Sequence, residues 1–512
     1  FDEALAGDPA LALSSGEVFT VDEQIGSFYR MHTRVLAVPV AGLVAVLQSS
    51  EDAFGHAVTS SPVPLPAPYA NGIPVVPVPV SPCTVPADAS GSTCTDFDGD
   101  GFFGPSAGCA PAVVDCDDRD PLTYPGAPNI PGALSRNDCS DGDPVPLTGV
   151  YVDGDNGSDE DGDGSLAAPL RTLDHALALE VEQGLSEPLL LAAGAYGISD
   201  ADTGFTQPLL GGFAPVTFAP HGGETRVFAA ATPEDCGAFV AVTQPAALVD
   251  VTIASSLRIA ALASLLRVNV TGCGSSFEAP LVAEHLSTSG SIALSFTGIR
   301  ILDSTISSLD VTSAGISIVR STMLGSLTIT SGAVDVVDSA IVAEQFEPAI
   351  TCDSCSAARV YYSNLLAEGG SNAVQTVADA SSDITIVASQ LRGPGNNLIA
   401  VGPSTQLTLL DNVIDQPSGT IAAVGVLAAI PSGQAGVDEL NGCAFVGCVA
   451  ASGNIIGAPS LAADLLHDGA SPAGVDLGDD LLRAGSPTTV AGDIDGQCRF
   501  SDGHDDVGPD ER

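Results

Sequence analysis

The residues best placed to do chemistry in this chain are aspartates at alternate positions. Asp96, Asp98 and Asp100 precede Gly101, and Asp115, Asp117, Asp118 and Asp120 follow a short way downstream. Carboxylates at every second residue can converge on one hard cation, and a glycine just past the third permits the tight bend that brings them round it. A complete loop of this kind ends in a bidentate glutamate, but Ala107 stands at that position, so closure falls to the acids at 115–120. Asp141 and Asp143 end the acidic segment. An all-oxygen donor set points to Ca2+ rather than a softer metal, in the weak extracellular range of roughly 10⁻⁴–10⁻³ M. Asp159, Asp161 and Asp163, ahead of Gly164, repeat the pattern as a candidate second metal set, and a turn-rich loop accounts for them equally well.

These acids need elements to hold them, and composition limits which. Hydrophobic residues make up 45% of 512, yet aromatics are 5% and Trp is absent, while Gly reaches 56 and Pro 36. A core of Val, Ile, Leu and Ala with many turns fits stacked thin strands better than a globular enzyme with aromatic anchors. The net charge of −48, with every basic residue an Arg, argues against nucleic acid and anionic lipid as partners and for divalent cations; salt adaptation is the competing explanation. Twelve Cys is an even number, and Cys352 with Cys355 and Cys443 with Cys448 read as disulfides of an exported chain, since no second CxxC completes a zinc site.

Downstream the chain is periodic. GIRILDSTI at 298–306, GISIVRSTM at 315–323 and AVDVVDSAI at 333–341 align, with Ser304, Ser321 and Ser339 at equivalent corners. ARVYYSNLL, SDITIVASQL and QLTLLDNVI are looser copies. Each alternates apolar and polar residues and then turns at Asp, Ser or Asn, which predicts one rung of a solenoid. About a dozen rungs at ~4.8 Å would make a rod of roughly 55–60 Å.

Two resemblances follow from these motifs. Asp96 to Phe102, Asp115 to Asp120, Pro125-Gly126-Ala127 and Cys139 to Asp143 resemble the Asp-rich metal-binding repeats of secreted myxobacterial proteins, and more loosely thrombospondin type 3 repeats. Part of that family is named for copper, but the segment has no His, and the resemblance implies that Cys94, Cys109, Cys116 and Cys139 are paired. Tyr151, Val152, Gly157, Asp159, Gly164, Ser165, Pro169, Thr172, Leu173 and Ala176 resemble the opening of secreted pectate-lyase-like β-helices. The match implies a strand, a loop and a capping helix at about 169–182, with PLLLAAGAYG and QPLLGGFAP as the first rungs. SPAGVDLGDD, DIDGQCRF and DDVGPDE resemble the terminus of such proteins, with Arg499 clasped to Asp493 or Asp495.

That likeness raises polysaccharide lyases and hydrolases, whose chemistry needs a strong base beside calcium-binding acids or a set of catalytic carboxylates. Here Arg267, Arg300, Arg320 and Arg359 occur singly, His221 and His504 sit in turn-like contexts, and Asp479 and Asp480 read as loop acids. The expectation is therefore an all-β chain: a right-handed parallel β-helix over 148–512 with a short N-terminal capping helix. An Asp-rich, disulfide-containing calcium segment over 94–145 precedes it. A Pro-rich linker is expected over 58–93. Residues 1–57 read as an upstream extension plus a signal-peptide-like stretch, with Met31 and Arg34 before an apolar run at 35–47 and a small-residue site at Ala57. No stretch is long enough to span a membrane in the mature chain. The functional expectation is a secreted or cell-surface, non-catalytic calcium-binding protein for adhesion, matrix or polysaccharide and glycan binding. A carbohydrate-active enzyme and a copper-binding surface protein are the alternatives.

Overall fold

The computed structural model describes residues 147–457 with short interruptions, most of 114–140, Phe102, and five short strands within the first 64 residues. Two compact units are present, Phe1–Thr84 and Val85–Arg512. In the first, Ala10–Leu13 pairs antiparallel with Val44–Ser49, which also pairs with Val63–Pro64, and Thr20–Ile25 pairs with Phe28–His32. Met31, at the start of the signal-like stretch, lies in the strand Phe28–His32, and Val44–Ser49 overlaps the end of the apolar run at 35–47; apart from these and Val63–Pro64, the signal-like stretch and the Pro-rich segment lie outside the described residues.

The second unit is a right-handed parallel β-helix. Its three sheets contain 13, 12 and 11 strands, and from Leu209 to Val424 each rung contributes one strand to each in turn. The aligned sequence copies stack as expected: Ile299 pairs in register with Ile316, Ile316 with Val334, and Leu281 with Ile299. Alternate residues of the first sheet point inward, so Ile301, Ile318, Val336, Val360 and Ile386 form one internal column, all 2% exposed or less. Strands this short survive because each is hydrogen-bonded on both sides and packed from within.

From Asp250 onward the corner between the first and second sheets has constant geometry. Ten times over, two residues join the strands, from Asp250-Val251 to Gly453-Asn454. The first of each pair is left-handed, with φ between 46° at Arg320 and 68° at Gly453. Its backbone N–H reaches the next rung, as Asp303 N does to Val319 O at 3.1 Å. The second residue points into the core. From Ser304 onward it is polar and forms a ladder: Ser304 N donates to Ser321 Oγ, Ser321 N to Ser339 Oγ, Ser339 N to Ser363 Oγ and Ser363 N to Ser389 Oγ, each at 3.1 Å. Asn412 and Asn454 continue it through their side-chain oxygens. Each hydroxyl in turn donates to the carbonyl two residues back, as Ser321 does to Val319 at 2.8 Å. A turn that cannot complete a sheet ladder thus has its buried backbone groups satisfied by side chains.

Two further devices close the solenoid. The helix Leu173–Gln183 covers its first rung, close to the expected span, and buries Leu173, Ala176 and Glu180. Glu180 is 2% exposed, and neither of its carboxylate oxygens has a hydrogen-bond partner. Near the other end, Cys352–Cys355 bridges the corner from third to first sheet, and Cys443–Cys448 ties the end of the helix Gln434–Asn441 to the strand Cys448–Ser452. No helix among the described residues is long and apolar enough to cross a membrane.

Candidate metal centre

The described part of the Asp-rich segment is folded against the β-helix. Its described part is a strap of two arms, 120–131 and 136–140, closed by the disulfide Cys116–Cys139. The arms are laced by Tyr124 N to Asn137 O at 2.9 Å, Gly126 N to Asp138 O at 3.1 Å and Asn137 Nδ2 to Thr123 Oγ1 at 2.9 Å. Pro125-Gly126 forms the central pair of a turn closed by Ala127 N to Tyr124 O at 2.9 Å, and Gly126 has φ 85°, where a side chain would be strained. That is the structural content of the Pro-Gly-Ala motif.

The strap lies on the outward face of the first sheet. Leu122, Tyr124 and Ala127 pack into one apolar cluster with Val282, Leu302, Val319, Val337 and Tyr361. Ile130 reaches both this cluster and a second one around Leu190, Leu210 and Phe213. The covered residues are successive partners along one outward column, Leu302 to Val319 to Val337 to Tyr361. Such a column would expose hydrocarbon to water on a bare rod, yet Leu302 is 0% and Val319 1% exposed.

Among the expected ligands, Asp115, Asp117 and Asp120 lie in the described strap, and Asp96, Asp98, Asp100, Asp118, Asp141 and Asp143 lie outside the described residues. Asp115 is fully buried, and its Oδ1 accepts from Asp117 N at 2.9 Å. Asp120 accepts from Leu122 N at 3.2 Å and Thr123 Oγ1 at 2.7 Å, so it orders the first arm. Asp115 is also the one carboxylate among the described residues that gathers with two other ligand-type side chains, Cys116 and Cys139. Because those sulfurs form a disulfide, they are not available to a soft metal; the Asp115 carboxylate is the donor that remains in this group, and the Asp117 and Asp120 carboxylates do not gather with it. Asp138, absent from the sequence-based set, is held well below the usual carboxylate range by the Arg136 guanidinium, with Ser140 and Asn129 helping, and serves the strap's own structure.

The second acidic set is used differently. Asp159 accepts from Arg171 N at 2.9 Å, Thr172 N at 3.0 Å and Thr172 Oγ1 at 2.7 Å, fixing the start of the capping helix. Burial would raise its pKa, but these bonds outweigh it and hold the carboxyl below its ordinary value. Asp163 accepts from Ser165 N at 2.9 Å, and Asp161 is exposed. The three do not bring their oxygens together. Asp153, missed by pattern, is the buried anchor of this loop, accepting from Asn156 N and from the distant Val216 N.

Beside the strap runs a column of charged left-handed residues. Arg267 grips Asp250 at 2.6 Å, and Arg320 grips Asp303 at 2.9 Å, each pair spanning one rung. On the outward face of the same sheet Arg359 holds Asp335 at 3.0 Å. Arginines single in the sequence are therefore paired through register. Glu284 sits in the apolar column between Leu266 and Leu302, with His285 Nε2 3.5 Å away. Burial pushes its carboxyl up to about 7, Asp303 and Asp120 add to the shift, and Arg320 and Arg267 oppose it. A cavity of about 340 Å³ opens one rung away, bounded by Gly212, Gly223, Glu224, Asp250 and Arg267. His221, His504, Arg499, Asp479 and Asp480 lie outside the described residues. No protein-family model, no curated protein and no solved structure matches this chain.

Proposed function

We propose that the chain is a secreted or cell-surface calcium-binding protein whose β-helix, of the pectate-lyase-like kind, is a non-catalytic scaffold for adhesion, matrix assembly or glycan binding. The observation that carries this reading is the strap: an acid-rich segment, disulfide-closed and anchored on the rod, with Asp115 buried. Asp115, Asp117 and Asp120 would hold the ion together with the neighbouring acids of the segment, and the ion would supply charge neutralisation and cross-linking rather than reaction chemistry. The scaffold half of the reading is supported by the rung arginines, since Arg267, Arg320 and Arg359 are each engaged by a carboxylate.

Calorimetric titration of the full chain with Ca2+ and with Cu2+ tests it. Calcium uptake at roughly 10⁻⁴–10⁻³ M is expected, lost in a combined Asp115→Asn, Asp117→Asn and Asp120→Asn variant. Tight copper uptake without calcium uptake would reject it in favour of a copper-binding surface protein. A second reading, a carbohydrate-active enzyme, is favoured by Glu284, whose proton affinity suits a general acid–base. Release of reducing or unsaturated sugar ends from polysaccharide, abolished by Glu284→Gln, would establish that reading instead.

A further inference from the structure

We propose that the capping helix Leu173–Gln183 is a pH-sensitive latch: its C-terminal half closes the first rung while Glu180 is protonated, and swings out, hinged on the first turn, when Glu180 ionises. The latch needs neither calcium nor the strap. Its helix has a pinned end and a conditional one. The start is held by hydrogen bonds, since Asp159 accepts from Arg171 N and Thr172 N, and Asp174 accepts from Ser199 N at 2.9 Å. Beyond Ala176 the hold on the rod is packing: Leu177 and Leu179 lie half-buried against the core, Glu180 is buried, and Val181, Glu182 and Gln183 are exposed.

Glu180 is the last inward position of the stripe begun by Leu173 and Ala176, and both its oxygens are buried without a hydrogen-bond partner. The neutral acid tolerates such a seat, whereas a bare carboxylate there is strongly disfavoured. The surroundings do not offset the charge. The helix packs on the strands Val150–Val152 and Gly194–Ile198, whose titratable groups are Tyr151 and Tyr196. The Tyr196 hydroxyl donates to Ala192 O at 2.9 Å, and burial pushes it up to about 12, so it stays neutral. The loop through Gly164, which runs close to Leu179, carries the acids Asp159, Glu160, Asp161 and Asp163. On the helix side, Arg171 is turned to Gly157 O at 2.9 Å and His175 acts on Asp159, both at the pinned end. The charged neighbour that acts on Glu180 is another acid, Glu187. Burial and Glu187 together push the docked carboxyl up to about 8, against about 4.5 once the helix is in water. The docked form therefore holds the proton more tightly, and between these values each rise of one pH unit favours opening about tenfold. Opening bares apolar side chains of the first rung such as Val150, which is 4% exposed beneath the closed cap.

The test is backbone hydrogen exchange of the full chain at a series of pH values, expressed as protection relative to an unstructured peptide, with an uncharged environment-sensitive dye reporting bared apolar surface. Protection over 177–183 is expected to fall about tenfold per pH unit between about 5 and about 8. It should lie at least about a hundredfold below that of the rung strand Ile299–Leu302 throughout, because the cap opens without the rod. Dye fluorescence should rise over the same range. Glu180→Gln, which cannot ionise, is expected to give cap protection that does not change with pH. Glu180→Leu is expected to keep the cap closed and the dye signal low at every pH, and serves if the Gln variant does not fold. Protection in the cap equal to that of the rungs at each pH would show that the helix leaves only with the whole rod, and would overturn the latch. So would pH-independent cap protection in the unaltered chain, or a pH dependence that survives in the Glu180 variants.

Discussion

Glu180 occupies a position in the capping helix where hydrocarbon would be expected, with both oxygens buried. Burial pushes its carboxyl up to about 8, with Glu187 adding to the shift. The folded state therefore holds a proton that the unfolded state releases, so stability falls as pH rises from about 4.5 to about 8 and then levels, by an amount on the order of a few kcal/mol. Glu180→Leu should raise the unfolding midpoint and flatten its pH dependence across that window, measured by denaturant titration at several pH values. A second residue-scale prediction concerns Ser321. Ser321→Ala leaves the Ser304 N–H buried without its acceptor and should cost about 1–3 kcal/mol, read from urea denaturation. Corner serines were legible in the sequence as small polar residues in phase, but their ladder was not. The left-handed residue beside each is Asp, Arg, Tyr or Ala, types that carry no common signal for positive φ.

At the scale of elements, the capping helix was visible from its start motif, and its length came out close to expectation. What the motif concealed was the use of its acids. Asp159 satisfies the alternating pattern of a calcium loop and also the requirements of a helix start, and backbone N–H groups at 171 and 172 claim its oxygens. Asp159→Ala should therefore destabilise the cap by about 1–2 kcal/mol, seen as faster hydrogen exchange over 169–183, without a change in calcium stoichiometry. The strap shows the opposite limit. That its cysteines pair was implied by the motif, but which two pair and where the strap sits could not be read from sequence, because Leu122 and Tyr361 share one cluster across most of the β-helix sequence. Ion pairs such as Arg359 with Asp335 are hidden for the same reason: register brings together residues 24 apart.

For the whole molecule, stability is shared between rungs that contact chiefly their neighbours, and the strap is a covalently continuous piece that touches several rungs at once. Calcium should therefore act on the rod and not only on the segment that binds it. At calcium ten times the dissociation constant, mass action contributes about 1.4 kcal/mol, so scanning calorimetry should show a midpoint raised by a few degrees over the chelated protein. An unchanged midpoint would mean that the strap unfolds independently of the rungs beneath it.

The two-residue corner has a consequence for how such a chain can change over time. Along the ladder the distance between successive corner residues is 17 from Ser304 to Ser321, 26 from Ser363 to Ser389 and 42 from Asn412 to Asn454. From Asp250 to the last rung the corner itself keeps its length. Insertions and deletions are thus absorbed at the other two edges of the solenoid, where lengthening a loop adds only about 0.6 kcal/mol per doubling. One edge works as a bound spine, and the leaves sewn into it can differ in size without losing their place. New loops, and with them new surface chemistry, can be tried on those two edges while the stacking that holds the rod together is left alone.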